Sequence, residues 1–147
     1  MNEQRGSHRI ELMAWSEAAT LAMPLRERVF VVEQGVPPEL EMDEFDAVCR
    51  HAVVRTTDGT VIATGRLLPD GHIGRMAVDA GWRKHGVGGQ VLEALVAEAA
   101  SLGMAEVVLN AQVHAQAFYE RHGFAAEGEV FMEAGIEHRA MRRRLSG

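Results

Sequence analysis

Three runs with strand-like composition, residues 50–56, 61–68 and 72–78, are separated only by the turn signals Asp58-Gly59 and Pro69-Asp70-Gly71. Turns this short force neighbouring strands to lie antiparallel, so the runs form a meander. After Gly81 the apolar period changes from that of a strand to that of a helix, with Val87, Val91, Leu95 and Leu102 on one side, widened by Leu92 and Ala99. Gly103 stands where a left-handed C′ residue ends such a helix, and residues 106–112, with the apolar run Val107-Val108-Leu109, follow as a further strand. A strand, a helix and a second strand make a crossover, and a crossover makes the last strand pair parallel. The chain is thereby restricted to a mixed sheet.

The flanks complete the order. Residues 9–15 alternate as a first strand, and Ser16 is the expected N-cap of a helix carrying Ala18, Leu21, Leu25 and Val29. Pro24 falls inside that helix and predicts two pieces, the second starting near Pro24, carrying Arg28 to Gln34 and ended by Gly35 and Pro37-Pro38. Residues 114–122 read as a short helix ending at Gly123, and residues 124–128 with 136–145 as a final hairpin. The expected fold is α/β of the mixed, α+β kind: a mostly antiparallel sheet with helices on both faces, built as one domain over residues 1–147.

Composition narrows the function classes. A chain of 147 residues buries about two-thirds of its unfolded surface, and 47% hydrophobic with 24% charged residues excludes disordered and collagen-like classes. No apolar run approaches the roughly 20 residues of a membrane span. Met1-Asn2-Glu3-Gln4-Arg5 leads into no apolar stretch of the signal-peptide kind, so the cytoplasm is the expected compartment. Fifteen Lys and Arg against 21 Asp and Glu give a net charge of −6, which disfavours nucleic acid as a partner and makes any phosphate site local. Arg142-Arg143-Arg144 reads as a solvated strand end. With Cys49 alone there is no intrachain disulfide, and that residue is expected to be a small buried hydrophobe rather than a nucleophile. The seven histidines show no paired metal spacing, so no metal is expected.

The junction from Met76 to Gly89 reads as a strand, a loop and a helix start. The first N–H groups of a helix lack intrahelical partners and lie at the positive end of its dipole, so a phosphate can dock there. Gly86, Gly88 and Gly89 keep side chains out of the way, and Arg83 and Lys84 add charge. The spacing is neither a Walker loop nor the dinucleotide fingerprint, and alone it is equally a close-packing device.

Arg83-x-x-Gly86-x-Gly88, after a strand and opening an amphipathic helix, resembles the acetyl-CoA pyrophosphate signature of the GCN5-related N-acetyltransferases (GNAT). Ala115-x-x-x-Tyr119-Glu120-Arg121-x-Gly123-Phe124 resembles their second cofactor segment, and the element order matches along almost the whole chain. Val29-Phe30-Val31-Val32-Glu33-Gln34, Asp43-Glu44-x-Asp46, Ile73-Gly74-Arg75-Met76-Ala77-Val78 and Ala111-Gln112 with Phe118-Tyr119 are similar to the small bacterial ElaA/YjcF-like branch. Gln112 stands where many members carry Asn, which keeps an amide but changes its reach.

The resemblance implies an acetyl-CoA-dependent N-acetyltransferase acting on a primary amine, small molecule or peptide, by direct attack in a ternary complex. It implies that the backbone of Arg83, Lys84, His85, Gly86, Val87, Gly88 and Gly89 holds the pyrophosphate. Main-chain groups of Met76 and Val78, with Ala77 between them at a strand bulge, would pair with the pantetheine arm, and Gln112 and Ala115 would join the cofactor site. Tyr119 takes the general-acid position; its other reading is a ring packed beside Phe118. The base is open among Glu33, Glu44, His51, His72, His114, His138 and a chain of waters. Glu33, near the end of a helix that overhangs the acceptor, is preferred, with Gln34 and Glu44 as further substrate contacts. The acidic run Glu39, Glu41, Asp43, Glu44 and Asp46 is either a solvated loop or an attraction for a cationic amine. Two alternatives remain: a non-catalytic acyl-CoA-binding or sensing module, and the same fold using another acyl-CoA. A membrane is not expected as a partner, and a homodimer is left open.

Overall fold

The computed structural model describes residues 8–145, so the leader reading on residues 1–5 lies outside the described residues. Strands β1 (His8–Ala14), β2 (Arg50–Thr56), β3 (Val61–Leu67) and β4 (Ile73–Val78) form the expected antiparallel meander. Strands β5 (Glu106–Gln112), β6 (Ala125–Glu133) and β7 (Ile136–Arg144) form a second antiparallel sheet in the order β5-β7-β6. The parallel pairing expected between β4 and β5 shrinks to one bridge, His72 with Val108, where the Val108 N–H donates to Gly71 O at 3.0 Å. Past that bridge the two strands splay, and each sheet presents an edge to the same gap.

Between β1 and β2 lie α1 (Trp15–Arg26), a π-helical segment (Glu27–Glu33), the single turn α2 (Pro38–Glu41) and a 3₁₀ turn (Glu44–Val48). Two expectations fail here. Ala14, not Ser16, is the N-cap of α1, with φ −78° and ψ 162°. Ala14 is still paired with Arg50 in the sheet, so the chain stays extended to that point and turns immediately after it. Nor does Pro24 split the helix; α1 runs through it, and the pitch widens only from Glu27. Proline gives no N–H to the carbonyl four residues back and its ring crowds that carbonyl. The strain is taken up by wider turns downstream, closed by bonds such as Gln34 N–H to Val29 O at 3.1 Å.

Helix α3 (Val87–Ser101) joins the sheets where periodicity places it, and ends as a Schellman motif: Gly103 N–H donates to Ala100 O and Met104 N–H to Ala99 O, both at 3.0 Å. A 3₁₀ turn (Val113–Ala115) leads into α4 (Gln116–Arg121). The last hairpin is longer than expected, because β6 continues past a bulge to Glu133. It closes through Ala134 and Gly135, both at positive φ (51° and 77°), the geometry of a two-residue primed turn. Arg142 and Arg143 are not a solvated end. Arg142 bonds Glu127 and Glu106 from neighbouring strands, and Arg143 bonds Glu93 of α3.

The helices divide between the faces of the first sheet. Ala18, Leu25 and Val29 pack on Val53 and Ala77. On the other face Val91, Leu92 and Leu95 of α3 pack on Ala52, Val54, Ile62 and Leu67, with Phe124 and Met141 closing the core from the second sheet. No helix among the described residues is long and apolar enough to cross a membrane. Gly65 on β3 lets α3 approach: a Cβ there would lie 2.9 Å from Val91 Cγ1, 3.0 Å from Leu95 Cδ1 and 3.1 Å from Met76 Cγ. Gly65→Val is therefore expected to destabilise by about 1–3 kcal/mol through overpacking, read as a lowered midpoint in urea unfolding.

Candidate active site

Where β4 reaches the splay it carries one residue more than β3: Gly74 pairs with Arg66, but Ala77 pairs with Thr64. Arg75 absorbs the extra length in a left-handed conformation, φ 49°, costly for a residue with a side chain. Its guanidinium repays the strain by donating to Glu41 O and Leu40 O, both at 3.1 Å, and to Asp43 Oδ2 at 3.2 Å. The bulge expected at Met76 to Val78 thus lies slightly earlier, at Arg75 and Met76, while Ala77 and Val78 pair regularly with Thr64 and Ala63.

A cavity of about 680 Å³ opens between the sheets at this point. Met76 from β4, Gln112 from the end of β5, Ala115 and Tyr119 beyond it, Gln34, and the hairpin residues Glu133, Ile136 and His138 are all part of its wall. Two residues expected in different roles are joined directly. Gln112 Nε2 donates to Gln34 Oε1 at 3.1 Å, while His114 Nε2 lies 2.7 Å from Gln112 Oε1. Tyr119 meets Phe118 and Phe124 edge to face, with centroids 5.0 and 6.0 Å away, and burial pushes its phenol up to about 12.

No residue of the glycine turn is among those that line this cavity; the turn packs behind its wall. A Cβ on Gly88 would touch Val78 Cγ2 at 3.6 Å and Phe118 at 3.8 Å, neighbours of the lining residues Met76 and Tyr119. Gly86 caps α3 with φ 82°, which glycine adopts without penalty, and a Cβ there would meet nothing within 4 Å. The first turn of α3 has no acidic residue and no side-chain cap, and its ladder begins with Gln90 N–H to Gly86 O at 3.2 Å. The N–H groups of Val87, Gly88 and Gly89 therefore precede the ladder, and with the helix dipole they fit a pyrophosphate. Lys84 precedes them at φ 67°, and His85 lies edge to face with Trp82 at 6.4 Å. Gly88→Val is expected to keep the fold, since the added atoms start from ordinary contacts, while weakening CoA binding at least tenfold. Calorimetric titration with CoA checks it, and undiminished affinity in a folded variant would remove the pyrophosphate from this turn.

Arg83 is exposed, its Nε donating to Val78 O at 3.0 Å and its guanidinium bonding Glu33 Oε1 at 2.5 Å. Glu33 is therefore tied to the loop before α3 and is not among the residues that line the cavity, and neither is the exposed Glu44. Ala77 is buried against α1 and the π segment.

The acidic run divides: Glu39 and Glu44 are exposed, as a solvated loop would have them, and the other three correct both sequence readings. Arg26 Nε donates to Glu41 Oε2 at 2.5 Å, and its two terminal nitrogens grip Asp46 at 2.9 and 3.1 Å. Arg66 bonds Asp43 at 2.7 and 2.8 Å and shares Asp46 Oδ1 at 2.9 Å. Arg26, Glu41 and Asp46 are buried, with Trp15 over the Arg26 guanidinium at 5.4 Å. Glu41, Asp43 and Asp46 are neither solvated nor free to attract a cation; with Arg26, Arg66 and Arg75 they form a charge-balanced floor beneath the cavity. Hydrogen bonds from Arg66 hold Asp43 down to about 2. Burial pushes the Cys49 thiol up to about 11, which keeps it protonated, and His51 Nε2 donates to Asp46 O at 2.9 Å. Neither residue lines the cavity.

Sequence reasoning missed Arg75, Asn110 and Glu133, all in the cavity wall. For Asn110 a signal existed: Asn110 and Gln112 alternate with the buried Leu109 and Ala111. Arg75 carried none, because nothing in its sequence marks a left-handed arginine.

A family model described as acetyltransferase (GNAT) domain matches residues 20–145. The uncharacterized N-acetyltransferase YjcF of Bacillus subtilis is 40% identical over 123 residues, covering 82% of this chain and 88% of that protein. Among solved structures, an acyl-CoA N-acyltransferase from Pseudomonas aeruginosa superposes with a TM-score of 0.83 at 35% identity, over 93% of this chain and 99% of the other. Escherichia coli ElaA gives 0.82 at 30% identity over the same shares. The bulged and splayed sheet, the glycine turn and these likenesses agree, and the chain is an acyltransferase belonging to the GNAT family, in its ElaA/YjcF-like branch.

Proposed function

We propose that the enzyme moves an acetyl group from acetyl-CoA to a primary amine by direct attack, with both substrates bound together. The observation that carries the reading is the splay: β4 and β5 turn facing edges toward a cavity with the amide turn of α3 behind its wall. An unpaired strand edge can bond an amide-bearing arm as it would another strand. Bound acetyl-CoA supplies an acyl carbon activated as a thioester. The N–H groups of Val87, Gly88 and Gly89, flanked by Arg83, Lys84 and His85, hold the pyrophosphate. The main chain of Met76, Ala77 and Val78 orients the arm, Gln112 and Ala115 line it, and the Tyr119 hydroxyl protonates the departing sulfur. Gln34, held by Gln112, faces the acceptor side.

A sensing module that binds acyl-CoA without turnover needs no proton donor at the splay, so Tyr119 in the cavity wall favours transfer. Buried, protonated Cys49 leaves no thiolate for a covalent acyl-enzyme route. The test is the initial-velocity pattern with both substrates varied. Intersecting lines are expected; parallel lines would mean a covalent intermediate and overturn direct attack.

A further inference from the structure

We propose that His138 takes the proton from the acceptor amine and that Glu133 positions it, a role that rests on the acetyl-transfer reading and that the reading leaves unassigned. His138 on β7 lies directly opposite Gln112 on β5, so the two side chains leave the same face of the sheet. The residue is 6% exposed and lines the cavity. Its Nδ1 lies 2.7 Å from Ile136 O. A carbonyl only accepts, so Nδ1 carries the hydrogen and Nε2 is left with a lone pair. Nε2 lies 4.0 Å from Glu133 Oε2, and Asn110 Nδ2 donates to the other oxygen of Glu133 at 3.4 Å. Phe131 stacks on the ring at 6.0 Å. The result is a base of fixed tautomer and orientation beside a carboxylate that stabilises the imidazolium once it forms.

The other candidates are engaged elsewhere. His51 and His114 bond Asp46 O and Gln112, and Arg83 holds Glu33. Glu44 is outside the wall, and His72 Nδ1 lies 3.0 Å from Asp70 Oδ1. Of the remaining charged groups lining the cavity, Glu41, Asp43, Arg66 and Arg75 bond one another, so Glu133 is the charged side chain beside His138.

As the amine nitrogen bonds to the acyl carbon, one of its N–H protons passes to His138 Nε2. The C–S bond breaks with its electron pair on sulfur, and the Tyr119 hydroxyl protonates that sulfur. The products are an amide and the CoA thiol, and a proton returning from imidazolium to phenolate through water resets the enzyme.

The experiment pairs His138→Asn with Glu133→Gln. Asparagine keeps a donor near the Nδ1 position and removes Nε2. His138→Asn is expected to lose about 10²-fold in kcat/KM with CoA affinity within twofold of wild type, and to lose the acid limb of the pH–rate profile. Glu133→Gln should lower kcat while leaving the acceptor KM within about twofold of wild type, because the imidazolium that forms during transfer loses its neighbouring charge. Nitrogen-15 NMR of the free wild-type protein should show the Nδ1–H tautomer at His138, whether or not the variants fold. Unchanged kcat/KM in folded His138→Asn, or an Nε2–H tautomer, would overturn the role while leaving the transfer reading intact. A wild-type enzyme that acetylates no amine would overturn the transfer reading itself.

Discussion

Tyr119→Phe is expected to lower kcat about 10²-fold on the best acceptor while the fold and the affinity for acetyl-CoA change little. Phenylalanine keeps the ring that packs against Phe118 and Phe124 and deletes only the hydroxyl. Burial pushes this phenol up to about 12, so the proton-bearing form persists throughout the neutral and mildly alkaline range. Loss of activity through its ionisation should therefore set in toward pH 12 rather than near the ordinary phenol value of about 10. The same shift bears on stability: a raised folded pKa contributes fully below the unfolded value, and the contribution disappears as pH climbs from about 10 to about 12. Tyr119 is the only tyrosine, so ultraviolet titration reads it directly. A variant with wild-type kcat would reduce Tyr119 to packing.

The second large effect is on stability. Arg26→Ala removes one partner of a buried ionic cluster and leaves Glu41 and Asp46 without the guanidinium that bonds both. Breaking a buried pair in this way costs about 3–5 kcal/mol, a large share of the total stability of a domain this size. Adding Asp46→Asn should recover part of the loss by removing an uncompensated charge, and the double-mutant cycle in urea measures the coupling. Acid tests the same cluster in the wild type. Asp43 is depressed from 3.8 to about 2, so its contribution is present above pH 4 and is lost as pH falls through about 2. A change under 1 kcal/mol in Arg26→Ala would show that the cluster is not what anchors α2 and the loop after it.

The meander and α3 were legible because local signals and tertiary packing agree there. The turns Asp58-Gly59 and Pro69-Asp70-Gly71 fall between strands that do pair, and the stripe through Val91 and Leu95 is the face that packs. The glycine turn and Tyr119 were legible through their motifs. What escaped is decided by partners distant in sequence. Ala14 caps α1 because Arg50 still holds it in the sheet. Glu41, Asp43 and Asp46 look solvated until Arg26, Arg66 and Arg75 arrive from three other elements. Glu133 lay past the expected end of its strand, and only the longer hairpin brings it beside His138. Glu33 was rightly placed near the end of its helix, but its pairing with Arg83 depends on a loop 50 residues away.

The most direct measurement is release of CoA thiol from acetyl-CoA in the presence of a panel of small amines and peptides, with the mass of each acceptor followed in parallel. The expected result is amine-dependent release, with one acetyl group gained by the acceptor for every thiol formed. Tight binding of acetyl-CoA with no turnover on any acceptor would contradict acetyl transfer and leave a binding module in its place.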